Sequence, residues 1–335
     1  MKITVAIAVY NGAATLRTTL ESVLSQTVSP HEILVVNDGS TDETSLILKL
    51  YKPQVTVVEQ ENKGLSAARN VLCKRAQGDL IAFLDADDVW HPQYLQTQQD
   101  LFKSHPTAVA FFTGHTNFTA DQDIRWCHDD LHVPNVELIE PANFLKRYTT
   151  ATGPFASPSY CCVPKSTLQA IGKEPFDNTV RVCDDAYLFY LLALKGPILY
   201  CPTRLVAYRF TPGSLSSNRL RNLDAGVRVF ELLEERYKTS ADKRLLGEFQ
   251  VAFASKRREY AKLLMGVGKS EDAQRQLCRS LKHSVNPEAI CKGLALLLLS
   301  HMPARLQPTW PSAAVRPSVT MSSNVAESAA GGHVS

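Results

Sequence analysis

The chain has 335 residues, of which 44% are hydrophobic and 21% charged, and a formal net charge of +3. That length predicts one large domain with a smaller appendage, able to bury a core without staples. The composition excludes a disordered, collagenous or membrane-bundle chain, and the charge is too small to argue for a nucleic-acid partner.

The first ninety residues alternate between two patterns. Residues 3–9 form an uncharged, β-branched run that reads as a buried strand and is too short for a secretory leader. Residues 13–26 predict a helix with Leu16, Leu20, Val23 and Leu24 on one face. A second strand, Ile33 to Val36, stops at the turn sequence Asn37-Asp38-Gly39-Ser40, and Thr41-Asp42-Glu43-Thr44 is a helix-capping signature. Val55 to Val58 is a third strand, Leu65 to Arg75 a helix, and Leu80 to Leu84 a fourth strand. Strict alternation implies right-handed crossovers and a parallel sheet covered on both faces. Ligands of such sheets sit beyond the carboxyl ends of the strands, so Tyr10, Asp38 and Asp85 are expected on one rim.

After Trp90 the pattern loosens. Residues 92–104 predict a helix, 108–112 a strand, 119–158 an irregular segment, 184–195 a helix and 197–208 a strand region. Residues 219–300 are helical throughout. Pro, Ser, Ala and Gly dominate from Pro303, which predicts a disordered tail. The longest apolar run, Gly293 to Leu299, is too short to span a bilayer. The eight cysteines, at 73, 127, 161, 162, 183, 201, 278 and 291, lack CxxC spacing and a histidine pair. Free thiols in a reducing cytosol are the plain reading.

Four features carry chemistry. Asp85-Ala86-Asp87-Asp88 follows an uncharged strand with no neighbouring cation. It suits Mg²⁺ or Mn²⁺, which take one or two carboxylates plus substrate phosphates; the bland alternative is an acidic turn capping a helix. Asp38 can accept from a nucleobase or ribose, or serve as an Asx-turn residue. Tyr10 can stack on a base, or simply end a strand. Gly64 to Asn70 opens a helix bearing Arg69, a fixed cation for a diphosphate or base; a surface salt bridge is the alternative. Asp184-Asp185 opens an apolar helix. Such a pair can have its pKa values pushed apart, as a general base requires, or can be held by the helix dipole.

Together these residues resemble the family 2 glycosyltransferases of the GT-A type. The resemblance rests on Val9-Tyr10-Asn11-Gly12, Glu32 to Asp42, Glu61 to Asn70 and Gly78 to Asp88, in that order, and covers residues 3–95 closely. A looser match runs to about residue 216 through Asp184-Asp185, Tyr208-Arg209, Ser214 and Ser216. It implies a Rossmann-like α/β fold with a mostly parallel central sheet, helices on both faces and a helical C-terminal region. The expected organisation is a GT-A domain over 1–218, a helical region over 219–302 and a tail over 303–335. Residues 1–95 would bind the nucleotide sugar and 96–218 the acceptor.

The activity implied is inverting transfer from a nucleotide diphosphate sugar, uridine being the family's commonest base, to an acceptor hydroxyl in surface polysaccharide or glycoconjugate synthesis. By the same resemblance Asp38 matches the base-binding acid and Tyr10 the residue over the base, and Arg69 resembles a nucleotide-contacting arginine. Val9, Asn11, Gly64 and Ala86 complete the donor site, Asp85 and Asp87 match the metal and diphosphate motif, and Asp185, beside Asp184, matches the general base. Two positions depart from the pattern: Leu191 replaces a common Arg, and Phe210-Thr211 stands where His is common. A non-catalytic nucleotide-sugar-binding protein and a nucleotidyltransferase remain as other readings. The nucleotidyltransferase reading lacks a cationic loop after the first strand, since no cation lies between that strand and Arg17. The acceptor would be saccharide or lipid-linked, at the cytoplasmic side. Lys256, Arg257, Arg258 and Lys262, with the run Leu294 to Leu299, suggest weak peripheral contact with the membrane; a buried helix closing the core is the alternative.

Overall fold

The computed structural model describes residues 1–126, 136–149, 157–180, 182–211, 219–237, 243–284 and 287–302. Nine strands among them form one sheet in the order β3-β2-β1-β4-β8-β6-β9-β5, with β7 also on β9. The N-terminal part is the expected parallel unit: β1 (Ile3–Val9), α1 (Leu16–Leu24), β2 (Glu32–Asp38), α2 (Thr44–Leu50), β3 (Thr56–Gln60), α3 (Leu65–Arg75) and β4 (Leu80–Asp85). β1 is central because all its residues but Thr4 are apolar, and all but Ala8 are buried. The helix after β2 begins later than its capping signature suggests. Asp42 Oδ1 accepts from the Thr44 N–H at 3.0 Å, while Oδ2 reaches across to the Ala13 N–H.

The second half is mixed. β5 (Val89–Trp90) and β7 (Glu137–Ile139) pair antiparallel with β9 (Ile198–Arg209), and β8 (Cys161–Pro164) runs antiparallel between β4 and β6 (Ala110–Phe118). The β6–β9 pairing is parallel, with an irregularity around Gly114. A Cβ there would lie 2.3 Å from the Pro202 carbonyl oxygen, so only glycine lets β9 pass this close. Helices α4 (Tyr94–Ser104), α5 (Pro141–Thr149), α6 (Lys165–Ile171) and α7 (Asp184–Ala193) complete this half. Residues 119–158, expected to be irregular, thus contribute β7 and α5. β7 is too short to show a period, whereas α5 places Phe144 and Tyr148 four residues apart, their rings stacked at 5.6 Å, a helical signal the composition of the segment hides.

Among the described residues the C-terminal region is four helices: α8 (Arg219–Tyr237), α9 (Lys243–Gly266), α10 (Ser270–Lys282) and α11 (Pro287–Ser300). It is seated on the sheet domain. Phe230 and Phe249 pack against Tyr190 of α7 with ring centroids 5.3 and 5.9 Å apart, inside the main core. The outer part has its own core, including Tyr260, Leu264, Leu277 and Leu296. The expected basic face is largely turned inward. Arg257 is buried, 3.5 Å from Glu231 and bonded to Gln276, and Arg258 donates to Ser280 and Ser284. α11 buries Gly293, Leu296 and Ser300 and exposes Ile290, Leu294 and Leu298. The expected tail, like Ser214 and Ser216, lies outside the described residues.

Candidate active site

The parallel strands end level with one another. Ala8 pairs with both Val36 and Asp85, and Val9 with Asn37, so Tyr10, Asp38 and Asp85 do reach one rim. The loop after β1 is stitched to the loop after β2. Asn11, at φ +51°, donates its N–H to Ser40 Oγ and accepts from the Thr41 N–H at 2.8 Å, and Gly12 donates to Thr44 Oγ1. Val9 is buried beneath this loop, while Tyr10 is 51% exposed and presents its ring to solvent. Asp38 is buried and accepts three hydrogen bonds: from Gln60 Nε2 at 2.6 Å, the Lys63 N–H at 2.9 Å and the Gly64 N–H at 2.8 Å. It thereby fixes the turn into α3. That turn needs glycine at 64, where φ is +91°.

The acidic turn after β4 is held from two sides. Asp85 Oδ1 accepts from Arg69 at 2.6 Å, Oδ2 from the Ser157 hydroxyl at 3.1 Å, and the Asp85 N–H donates to Ser159 Oγ. The Ala86 carbonyl accepts from Thr15. The Asp87 carboxylate is half-buried and has no side-chain hydrogen-bond partner among the described residues. Burial, then the neighbouring Asp85 charge, push its pKa up to about 6. Asp88 is fully buried, and burial and its two acidic neighbours raise it well above the carboxylate range.

No trio of His, Cys, Asp or Glu poised for a metal occurs among the described residues. The residues nonetheless fit a hard cation of the kind that keeps few protein ligands. Asp87, with a lone pair set unclaimed by side chains and a like charge beside it, is where added positive charge is most favourable, and Asp85 adjoins it.

Across the rim stands α7. Cys183, just before it, has a left-handed backbone at φ +62°, ψ +28°, a strained conformation for a residue with a side chain. Asp184 is buried, and both its oxygens accept from Arg69 Nη1 at 2.8 Å. Asp185 is half-buried and, among the described residues, accepts only from its own helix, the Ala186 N–H at 2.7 Å. Burial and then the Asp184 charge push it up to about 7. Arg69 lies buried beside the acidic turn and bridges Asp85 and Asp184. Of the two departures from the family pattern, Leu191 lies buried in the core and Phe210 is exposed.

Several contributors have no signal in the sequence. Ser157 and Ser159 sit at the end of a segment without pattern. Tyr160 is buried with its ring stacked on His115, 4.4 Å between centroids, and His115 is lowered to about 4 by burial and then by Arg204. Arg209 is the exception, since the Tyr208-Arg209 pair was visible though its role was not. Its Nε–H donates to the Asp87 carbonyl, its Nη2 to Asp121, and its guanidinium lies 4.3 Å from the Phe118 ring centroid.

A parallel nucleotide-type half, an acidic turn at its rim and a mixed second half define a GT-A glycosyltransferase fold. Solved structures share it, and two of them hold a nucleotide sugar. That of S. aureus TarS 1-349 in complex with UDP-GlcNAc has a TM-score of 0.56 at 14% identity, covering 90% of each chain. That of the mannosyltransferase PcManGT from Pyrobaculum calidifontis in complex with GDP-Man and Mn²⁺ has a TM-score of 0.57 at 18% identity, covering 91% of this chain and 82% of that one. The model of the family described as Glycosyl transferase family 2 matches residues 4–171. An uncharacterized glycosyltransferase of Rickettsia prowazekii, RP339, is 38% identical over 223 residues, 66% of this chain and 68% of that protein. The chain belongs to glycosyl transferase family 2. It spans only 14% to 34% of the length of several other curated relatives that match about a hundred of its residues.

Proposed function

We propose that this protein transfers a sugar from a nucleotide diphosphate sugar to an acceptor hydroxyl with inversion at the anomeric carbon. The observation that carries the reading is the placement of Asp185. It is a carboxyl pushed up to about 7, with one short hydrogen bond, beside an acid whose two oxygens are both taken by Arg69. A group of that pKa is suited to accept a proton near neutrality.

In the proposed reaction the acceptor oxygen attacks the anomeric carbon from the face opposite the diphosphate. The bond from that carbon to the diphosphate oxygen breaks, and the hydroxyl proton passes to Asp185. Asp87 and Asp85 would hold Mg²⁺ or Mn²⁺, which supplies charge neutralisation for the departing diphosphate. Tyr10 and the Asp38 turn would receive the nucleoside, with Val9, Asn11, Gly64 and Ala86 lining that side. UDP-GlcNAc and GDP-Man in the two structural neighbours support a nucleotide-sugar donor, and Mn²⁺ in one supports the metal. The nucleotidyltransferase alternative loses support, because Arg17, the first cation after β1, lies over the Tyr51 ring at 5.9 Å.

The acceptor we propose is a saccharide or lipid-linked hydroxyl met at the cytoplasmic side. No helix among the described residues is long and apolar enough to cross a membrane. The exposed Ile290, Leu294 and Leu298 support peripheral contact with lipid. The seven described cysteines are free thiols, which supports a reducing compartment. The test is a thermal-shift screen of nucleotide sugars with Mn²⁺, followed by turnover of the donors that stabilise the fold. Stabilisation without turnover would leave a nucleotide-sugar-binding protein; no stabilisation by any donor would overturn the proposal.

A further inference from the structure

The ends of β6 and β9 carry aromatic side chains that the proposed transfer leaves without a task. The two strands register Asn117 against Tyr208 and Phe118 against Arg209. Arg209 lies on the Phe118 side, where Val89, Phe118 and Ala207 form a small core of their own. Alternation puts His115 and Tyr208 on the opposite face. There the rings meet. The His115 imidazole stacks on the Tyr160 ring, 4.4 Å between centroids and 8° between planes. Tyr208 stands edge-on to both, 6.4 Å from His115 and 6.1 Å from Tyr160. Tyr160 is wholly buried, whereas His115 and Tyr208 are half-buried. The group adjoins the acidic turn at two points. Tyr160 follows Ser159, whose Oγ accepts the Asp85 N–H at 3.0 Å, and Tyr208 precedes Arg209, whose N–H donates to Asp88 at 2.9 Å. Burial first, then the charges of Asp88, Tyr208, Asp85 and Asp185, hold the Tyr160 phenol well above its ordinary range. Its hydroxyl has no hydrogen-bond partner among the described residues. Phe210, next on the Tyr208 face, is exposed, and its N–H donates to the Phe118 carbonyl at 2.8 Å.

We infer that the face of β6 and β9 bearing His115, Tyr208 and Phe210 is the acceptor subsite, and that the acceptor hydroxyl arrives on a pyranose ring. The inference rests on the proposed function, because Asp185 is the base that such a hydroxyl would meet. The chemistry of the rings sets the ligand class. One face of a hexopyranose is a row of C–H bonds with partial positive charge, and an aromatic ring presents a negative face. Stacked on such rings, the sugar buries its apolar side and keeps its hydroxyls at the edge, where a few polar groups can orient them. Burial, then Arg204, hold His115 down at about 4, so near neutrality it is an uncharged imidazole with one N–H to donate. A phosphate in this place would face Asp185 and the acidic turn across uncharged rings, whereas a neutral sugar meets no such repulsion. A second ring of a longer acceptor would lie against Phe210, one strand repeat further out.

The experiment follows the methyl β-glycosides of glucose, galactose and N-acetylglucosamine on the full chain, with and without UDP or GDP and Mn²⁺. Saturation-transfer NMR reports which C–H groups of a probe lie on the protein, and a titration gives its Kd. Glycerol phosphate is the acyclic, anionic control. The expected result is contact by at least one glycoside through one face of its ring, and none by glycerol phosphate. Tyr208→Leu and His115→Leu should each raise that Kd by about tenfold, the loss of one aromatic partner and its buried area. Tyr208→Phe keeps the ring and should stay within about threefold of the wild type. Calorimetric affinity for the nucleotide with Mn²⁺ should hold within about threefold in every variant, and melting temperature follows the fold. Glycoside binding indifferent to both leucine variants would overturn the inference and leave the rings as core packing. So would the absence of contact by any glycoside, or contact by glycerol phosphate alone. Failure of both nucleotides to bind strikes the proposed function instead, and the titration without nucleotide still decides this inference.

Discussion

Arg209 donates its backbone N–H to Asp88 Oδ1 at 2.9 Å and its Nε–H to the carbonyl of Asp87 at 2.8 Å, so the end of β9 grips the acidic turn after β4. Asp87 lies between these two contacts and the Arg69 bridge at Asp85, which limits where its carboxylate can point. Arg209→Gln should therefore weaken the cation site without emptying the nucleotide site. The expected outcome is a rise of at least about tenfold in the Mn²⁺ concentration giving half-maximal transfer, at nearly constant donor KM, because charge-assisted bonds at such positions are worth about 1.5–3 kcal/mol. A titration of activity against Mn²⁺ checks it.

Asp87→Ala tests the acidic turn directly. A bound metal supplies several kcal/mol to a step of this kind, so transfer should fall by roughly 100-fold or more. The fold should survive, since this carboxylate holds no other side chain, and its removal relieves repulsion with Asp85. Circular dichroism checks the fold, and loss of wild-type transfer in EDTA, restored by Mn²⁺, checks the metal. Full activity in EDTA would remove the cation from the mechanism.

Asp185 should leave a mark on both rate and stability. As a base it works only when deprotonated, so kcat should rise with pH through about 7 and be lost below it. Asp185→Asn should lower kcat by about 10²–10⁴-fold, with donor affinity nearly unchanged. The sign for stability runs the other way from that of an ion-paired acid. The folded pKa is raised, so between the ordinary aspartate value and about 7 the folded state binds more protons than the unfolded one. This group's contribution is fully present below the ordinary value and is lost as pH rises through 7. The Asn variant should therefore melt higher than the wild type at pH 8, with the gap closing toward pH 4.

The outer face of α11 gives a test of location. Ile290, Leu294 and Leu298 are exposed in one row, whereas Arg257 and Arg258 are committed inside the bundle. Flotation with anionic vesicles should show binding that Leu298→Glu reduces, and added salt should weaken it less than a basic patch would require. No flotation at low salt would leave α11 as a bundle helix only.

Much of the N-terminal parallel unit is legible in the chain order. β1 and β4 are uncharged runs, the helices between them keep apolar residues on one face, and Asp38 and Asp85 fall at strand ends. Parallel strands that stop level then bring them to one rim. These are local patterns, since burial on one or two faces repeats at the period of the element itself. The acid pair at Asp184 and Asp185 is legible for the same reason, as it breaks an apolar helix pattern at its first turn.

The partners of these residues are a different matter. Arg69 and Asp184 are 115 positions apart, and nothing in either neighbourhood shows that they meet. Two neighbouring aspartates look alike in the chain, yet the bridge takes both oxygens of one and leaves the other raised to about 7. Lys256 to Arg258 read as a solvated basic face, yet the packing of α9 against α8 and α10 brings Glu231, Gln276 and Ser280 to those arginines. β8 is four residues long and has no period to reveal it, but it separates β4 from β6 and so places Ser159 under Asp85. Chain order alone shows the alternating elements up to β4 and the stations of the acids, because periodic burial is written locally. Tertiary structure decided which charges meet, because an ion pair depends on the distance between atoms that the chain separates and only the packed core brings together.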